Sequence, residues 1–124
     1  MVRISKQLLD GNVETLILAV LESGPSYGYA IVKEIDKRSK GILQLGEGTI
    51  YPVLYRLEEK HLVSASWHTA ENTRRRKYYR LNPPGRKALA ENRRQWEALA
   101  AVMRAALRSS QKLAPKSRLK GATI

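Results

Sequence analysis

The chain has 124 residues, enough for one small domain with a modest core, and carries 23 Lys and Arg against 11 Asp and Glu for a net charge of +12. That excess favours a polyanionic partner, nucleic acid ahead of an anionic membrane surface. Cysteine is absent, which excludes thiol catalysis, disulfides and Cys-based zinc sites, and two histidines are too few for a His-rich metal centre, so no metal or cofactor is expected. The longest apolar run, Leu16 to Leu21, falls far short of the ~20 residues that span a bilayer. The opening MVRISKQLLDGN has no signal-peptide core, so the expected setting is a cytoplasmic protein without a membrane partner.

Val13, Leu16, Ile17, Val20 and Leu21 recur at helical spacing, with Asn12 as the expected N-cap and Gly24-Pro25 as the stop. Ser26 is expected to cap a second helix from Tyr27 to about Ser39, whose inner face is Tyr27, Ala30, Ile31 and Ile35. Lys37, Arg38 and Lys40 sit where cations complement the helix dipole. After a turn at Lys40-Gly41, a cap near Gly48 or Thr49 starts a third helix that reaches about Lys60. Pro52 then falls in or at the edge of the first turn, where its missing N–H has no partner to lose.

In that third helix Ile50, Leu54, Leu57 and Val53 form the apolar face, leaving Thr49, Tyr51, Pro52, Tyr55 and Arg56 on or near the outer one. No acid stands among them. Uncharged side chains in such a place suit contact with DNA, because tyrosine offers a hydroxyl to phosphate or a base edge and a ring to a thymine methyl. The alternative for Tyr51 and Tyr55 is packing against neighbouring helices.

The period then changes. Val63, Ala65 and Trp67 alternate with polar residues as in a strand, and Lys77 to Leu81 reads as a second strand with Tyr79 and Leu81 on one face. The polar link between them suggests a hairpin with a long tip. Arg74, Arg75, Arg76, Lys77 and Arg80 crowd its far side without an acid, a pattern suited to phosphates or a narrow minor groove, although Lys77 and Arg80 lie close enough to the strand to support the fold instead. Asn82-Pro83 starts a long helix to about Ser109, ~40 Å at ~1.5 Å per residue. Residues 110–124 are basic and aperiodic and are expected to be a disordered tail.

The expected fold is α+β, mainly α with a small β-hairpin: a winged helix-turn-helix over residues 1–82 and a C-terminal dimerisation helix over 83–109. Ser26 and Tyr27, at the start of the second helix, join Thr49, Tyr51, Pro52, Tyr55, Arg56 and Arg74 to Lys77 as candidate DNA contacts. Along the long helix, Leu89, Trp96, Leu99, Met103, Ala106 and Leu107 are the candidate dimer contacts. Two-fold symmetry would set two recognition helices about one DNA turn apart on an inverted-repeat operator. Trp96, facing its mate, either packs the dimer or sandwiches a small aromatic ligand.

The segments LLDGNVETLILAVLESGPSYGYAIVKEI, LGEGTIYPVLYRLEEKHLV and RRRKYYRLNPPGR, with Trp96 in RRQWEALAAV, resemble the PadR family of transcriptional regulators in its short, single-domain form. The resemblance spans about residues 8 to 107 and implies a dimeric winged-helix repressor whose C-terminal helix carries the dimer contact, some members releasing DNA on binding planar drugs or phenolic compounds. His61 stands where the family usually has Gly, NPP replaces its usual helix start, and the tip AENT lacks its glycines. The rival reading is a basic RNA-binding or nucleoid-associated protein, disfavoured because the aromatic residues sit on a helix and in a strand beside core positions. An enzyme is disfavoured by the lack of a phosphate loop, a carboxylate pair or a nucleophile beside His and an acid.

Overall fold

The computed structural model describes residues 2–69 and 74–109. The expected wing tip, Ala70 to Thr73, and the expected disordered tail, 110–124, lie outside them. A short helix α1 (Lys6–Leu9), not anticipated from the sequence, is capped by Ser5 Oγ, which accepts from Leu8 N at 3.2 Å. Then follow α2 (Val13–Glu22), β1 (Ser26–Tyr27), α3 (Gly28–Arg38), α4 (Glu47–Glu59), β2 (Val63–Thr69), β3 (Arg75–Leu81) and α5 (Pro83–Ser109).

The apolar faces read from the sequence meet in one core: Ile17, Leu18, Ile31, Ile50, Leu54 and Leu57 are fully buried. Asn12 precedes α2 as expected, but its side chain donates instead to Leu8 O at 2.9 Å and closes α1. The α2–α3 turn passes through Gly24 at φ 142°, a conformation that glycine alone adopts without strain. Behind it, Arg38 ties α3 to the end of α2, donating to Glu34 at 2.8 Å and Ser23 Oγ at 3.0 Å.

Three corrections concern element boundaries. Ser26 does not cap a helix; Ser26 and Tyr27 form β1, antiparallel to β3, so the expected hairpin is a three-stranded sheet of order β1-β3-β2. The strands also run further than their apolar residues suggest. Thr69 pairs with Arg75 and His68 with Arg76, because a ladder needs backbone groups and not apolar side chains. Helix α4 starts earlier, with Gly46 at the cap, which places Pro52 in the second turn rather than the first. There its absent N–H leaves the Gly48 carbonyl without its helical donor.

Asn82 begins α5 as expected: its Oδ1 accepts from Gly85 N at 3.0 Å while its Nδ2 donates to His61 O at 2.9 Å. Gly85 touches the backbone of Leu62, leaving no space for a side chain. His61 takes positive φ, 60°, and closes α4 in the manner of a C′ residue.

The described residues fall into two units, one running through Asn92 and one beginning at Arg93. The first therefore extends past the expected boundary at 82. Leu89, expected at a dimer interface, is 2% exposed within the first unit's own core, and Asn92 donates to Thr15 Oγ1 at 3.0 Å. In the second unit, helix residues 93–108 include no buried side chain, and Trp96, Leu99, Val102, Met103 and Leu107 are each about half exposed or more.

Candidate nucleic-acid interface

With Ile50, Val53, Leu54 and Leu57 inward, the 100° step of a helix places Gly48, Pro52 and Tyr55 on the outermost row of α4. All three are exposed and uncharged, and Glu59, four residues beyond Tyr55, closes the row with an exposed acid at the end of the helix. Thr49 and Arg56 fall on the flank towards α2, where Arg56 Nε approaches Glu14 Oε2 at 4.0 Å and Lys60 bonds the same oxygen at 3.0 Å. Tyr51 and Glu58 fall on the flank towards the sheet. So does Glu47, an acid that the later expected start had left outside the helix.

Tyr51 is half-buried with its ring against Gly28, while Tyr55 is 52% exposed. The two rings tilt towards each other with centroids 6.3 Å apart. Burial raises the Tyr51 hydroxyl pKa above the usual tyrosine range, and Glu47 and Tyr55 push it the same way. Tyr51 thus packs against the start of α3 while also lining the space towards the hairpin, and Tyr55 reaches solvent.

Opposite this flank stands one face of the β2–β3 hairpin: Ala65, Trp67 and Thr69 beside Arg75, Lys77 and Tyr79. Lys77 Nζ bonds Glu58 Oε1 at 3.1 Å and lies 5.4 Å from the ring centroids of both Tyr55 and Tyr79. Burial lowers its pKa, but the Glu58 bond and the neighbouring Tyr79 more than offset this, and the net direction is upward. Lys77 therefore links the hairpin to α4. Beneath it Tyr79 is 1% exposed, and its hydroxyl has no hydrogen-bond partner among the described residues. Burial raises its pKa, only partly countered by the Lys77 charge.

Between α4 and the hairpin runs a groove of about 540 Å³, walled by Tyr29, Tyr55, Trp67, Arg74 and Arg75, with Glu47 at its edge. Arg75 Cζ lies 5.0 Å from the Trp67 ring centroid. On the opposite face of the sheet, Arg76 Cζ lies 4.5 Å from the ring of Tyr27, which makes an edge contact with Tyr78 at 5.3 Å. The first unit thus brings together Tyr27, Tyr51, Tyr55, Arg74, Arg75, Arg76 and Lys77, with Ser26 half-buried in β1 and Thr49 and Arg56 on the far flank of α4. Tyr29, Glu47 and Trp67 were missed from the sequence. Alternation put Trp67 on the same face as Val63 and Ala65 but gives no sign of where the core ends along a strand, and Trp67, 56% exposed, lies beyond it.

Among the described residues no cluster of His, Asp or Glu is arranged to hold a metal, and no helix is long and apolar enough to cross a membrane. The transcriptional regulator PadR-like family model matches residues 17–91. Transcriptional regulator Rv3488 of Mycobacterium tuberculosis is 42% identical over 74 residues, 60% of this chain and 65% of that protein. A transcriptional regulator from Clostridium thermocellum has a similar solved structure, with TM-score 0.73 and 34% identity over 81% of this chain and 94% of that one. A PadR family transcription regulator from Clostridium difficile R20291 gives TM-score 0.68 and 33% identity, covering 78% of this chain and 99% of its own.

Proposed function

Since the chain belongs to the PadR-like family of DNA-binding transcriptional regulators, which are not enzymes, we propose that it acts as a homodimeric repressor of an inverted-repeat operator. In this reading the outer row of α4 enters the major groove and the β2–β3 wing follows the flanking backbone. The observation that carries it is the exposed, uncharged trio Gly48, Pro52 and Tyr55 on α4 standing beside a wing that carries Arg74, Arg75 and, on the other face of its sheet, Arg76. Thr49, Pro52 and Tyr55 reach bases and the three arginines reach phosphates. Tyr51 and Lys77, held by Gly28 and Glu58, support that surface from behind.

The exposed stripe Trp96, Leu99, Met103 and Leu107 supports dimerisation through α5, with Ala106 between the larger side chains, because a partner helix removes that apolar surface from water. Trp96, 54% exposed, is the position at which a planar aromatic ligand would enter the contact and release DNA.

The experiment combines light scattering with anisotropy titrations on duplexes taken from the DNA upstream of the gene. A dimer mass, preference for an inverted repeat over its scrambled copy, and steep salt dependence are expected. A stable monomer, or affinity indifferent to both salt and sequence, refutes the reading.

A further inference from the structure

We propose that Trp67 and Tyr27 are positioning residues that hold Arg75 and Arg76 of the wing ready for the DNA backbone. This rests on the DNA-binding reading of the wing. Successive side chains of β3 point to opposite faces, so two neighbouring arginines need one support on each face of the sheet.

The register supplies both supports by the same device. Trp67 is the direct partner of Lys77, and Arg75, two residues away along β3, crosses diagonally to the indole. Tyr27 is the direct partner of Tyr78, and Arg76, again two residues away, crosses diagonally to the phenol. Diagonal neighbours across a ladder lie within reach of long and aromatic side chains. The two rings come from different strands, β2 and β1, so the outer strands of the sheet each steady one arginine of the central strand.

A ring occupies only the face of a guanidinium. The N–H groups point outward in its plane and stay free for phosphate oxygens. Stacking and phosphate contact are therefore compatible, and the ring removes conformations that the arginine would otherwise lose on binding. This also accounts for a large indole left more than half exposed outside the core.

Positioning and contact leave different traces in salt dependence. Loss of a phosphate contact lowers the log–log salt slope by about 0.9. Loss of a ring leaves the number of contacts unchanged, so affinity falls by roughly two- to five-fold per ring at parallel slope. The test titrates the full-length protein against a fluorescein-labelled mixed-sequence duplex over a series of salt concentrations. The variants are Trp67→Leu, Trp67→Phe, Tyr27→Leu, Tyr27→Phe, Arg75→Ala and Arg76→Ala.

The expected result is weaker binding at unchanged slope for both Leu variants, most of the affinity retained in both Phe variants, and a reduced slope for both Ala variants. Leu variants that bind as tightly as the parent, or more tightly, overturn the proposal, as do Leu variants whose slope falls like that of the Ala variants. If the Ala variants keep both affinity and slope, the wing does not touch phosphate, and the inference falls with the reading beneath it. Should Tyr27→Leu fail to fold, the exposed Trp67 decides the matter alone.

Discussion

The phenol ring of Tyr51 lies so close to Gly28 that a β-carbon at position 28 would press into its Cζ and its hydroxyl. The first residue of α3 thus meets the far end of a side chain from the second turn of α4, and any larger residue there must push the Tyr51 ring aside. Gly28→Ala is expected to lower stability by about 1–3 kcal/mol, the usual range for overpacking. Tyr51→Ala in the same chain should recover part of that loss. Urea unfolding of the two single variants and the double variant measures the coupling, and strictly additive effects would show that the close approach carries no energy.

Pro52 removes a hydrogen bond from the second turn of α4, a place where proline opposes the helix. Pro52→Ala is expected to stabilise the fold by about 1–3 kcal/mol. The same substitution should weaken discrimination between operator and scrambled duplex, because the side chain lies on the outermost row. A gain in thermal midpoint without loss of discrimination would place Pro52 off the DNA.

Tyr79 and Lys77 make stability sensitive to alkali. Burial raises the pKa of the Tyr79 hydroxyl in the folded state, so its contribution is complete below the unfolded tyrosine value near ~10 and is lost as pH rises through the folded value. Lys77, also raised, contributes fully below the unfolded lysine value near ~10.4 and loses that contribution over the pH range above it. Denaturation midpoints should therefore be flat through neutrality and fall at alkaline pH. Tyr79→Phe removes a hydroxyl with no partner among the described residues, so it should be neutral or stabilising near pH 7 and should soften the alkaline fall. A large loss at neutral pH would mean that the hydroxyl has a partner after all.

Glu47 places a negative charge beside the surface proposed to meet phosphates. Glu47→Gln should tighten binding to mixed-sequence duplex at low ionic strength by a few-fold and lose that advantage as salt screens it. It should also relieve one of the influences that raise the Tyr51 pKa. Weaker binding would instead point to Glu47 accepting a hydrogen bond from a base, as carboxylates do from cytosine.

The sequence by itself determined the kind and order of the main elements. The 3.6-residue period of Val13 to Leu21 and of Ile50 to Leu57, the alternation before Trp67 and the Asn82-Pro83 start are local signals that recur in the folded chain. It also determined the acid-free run from Arg74 to Arg80, which is covalent fact. Tertiary structure decided what those faces meet. Periodicity says that Leu89 is apolar and on a stripe, but only packing showed it filled by its own core while Trp96, seven residues on, stays exposed. It likewise decided that Tyr51 rests on Gly28, that Lys77 answers Glu58 and that Ser26 joins a sheet, since each pairing joins residues at least 19 apart in the chain. Local backbone preference extends over a few residues, whereas contacts of that kind are fixed only when the whole core closes.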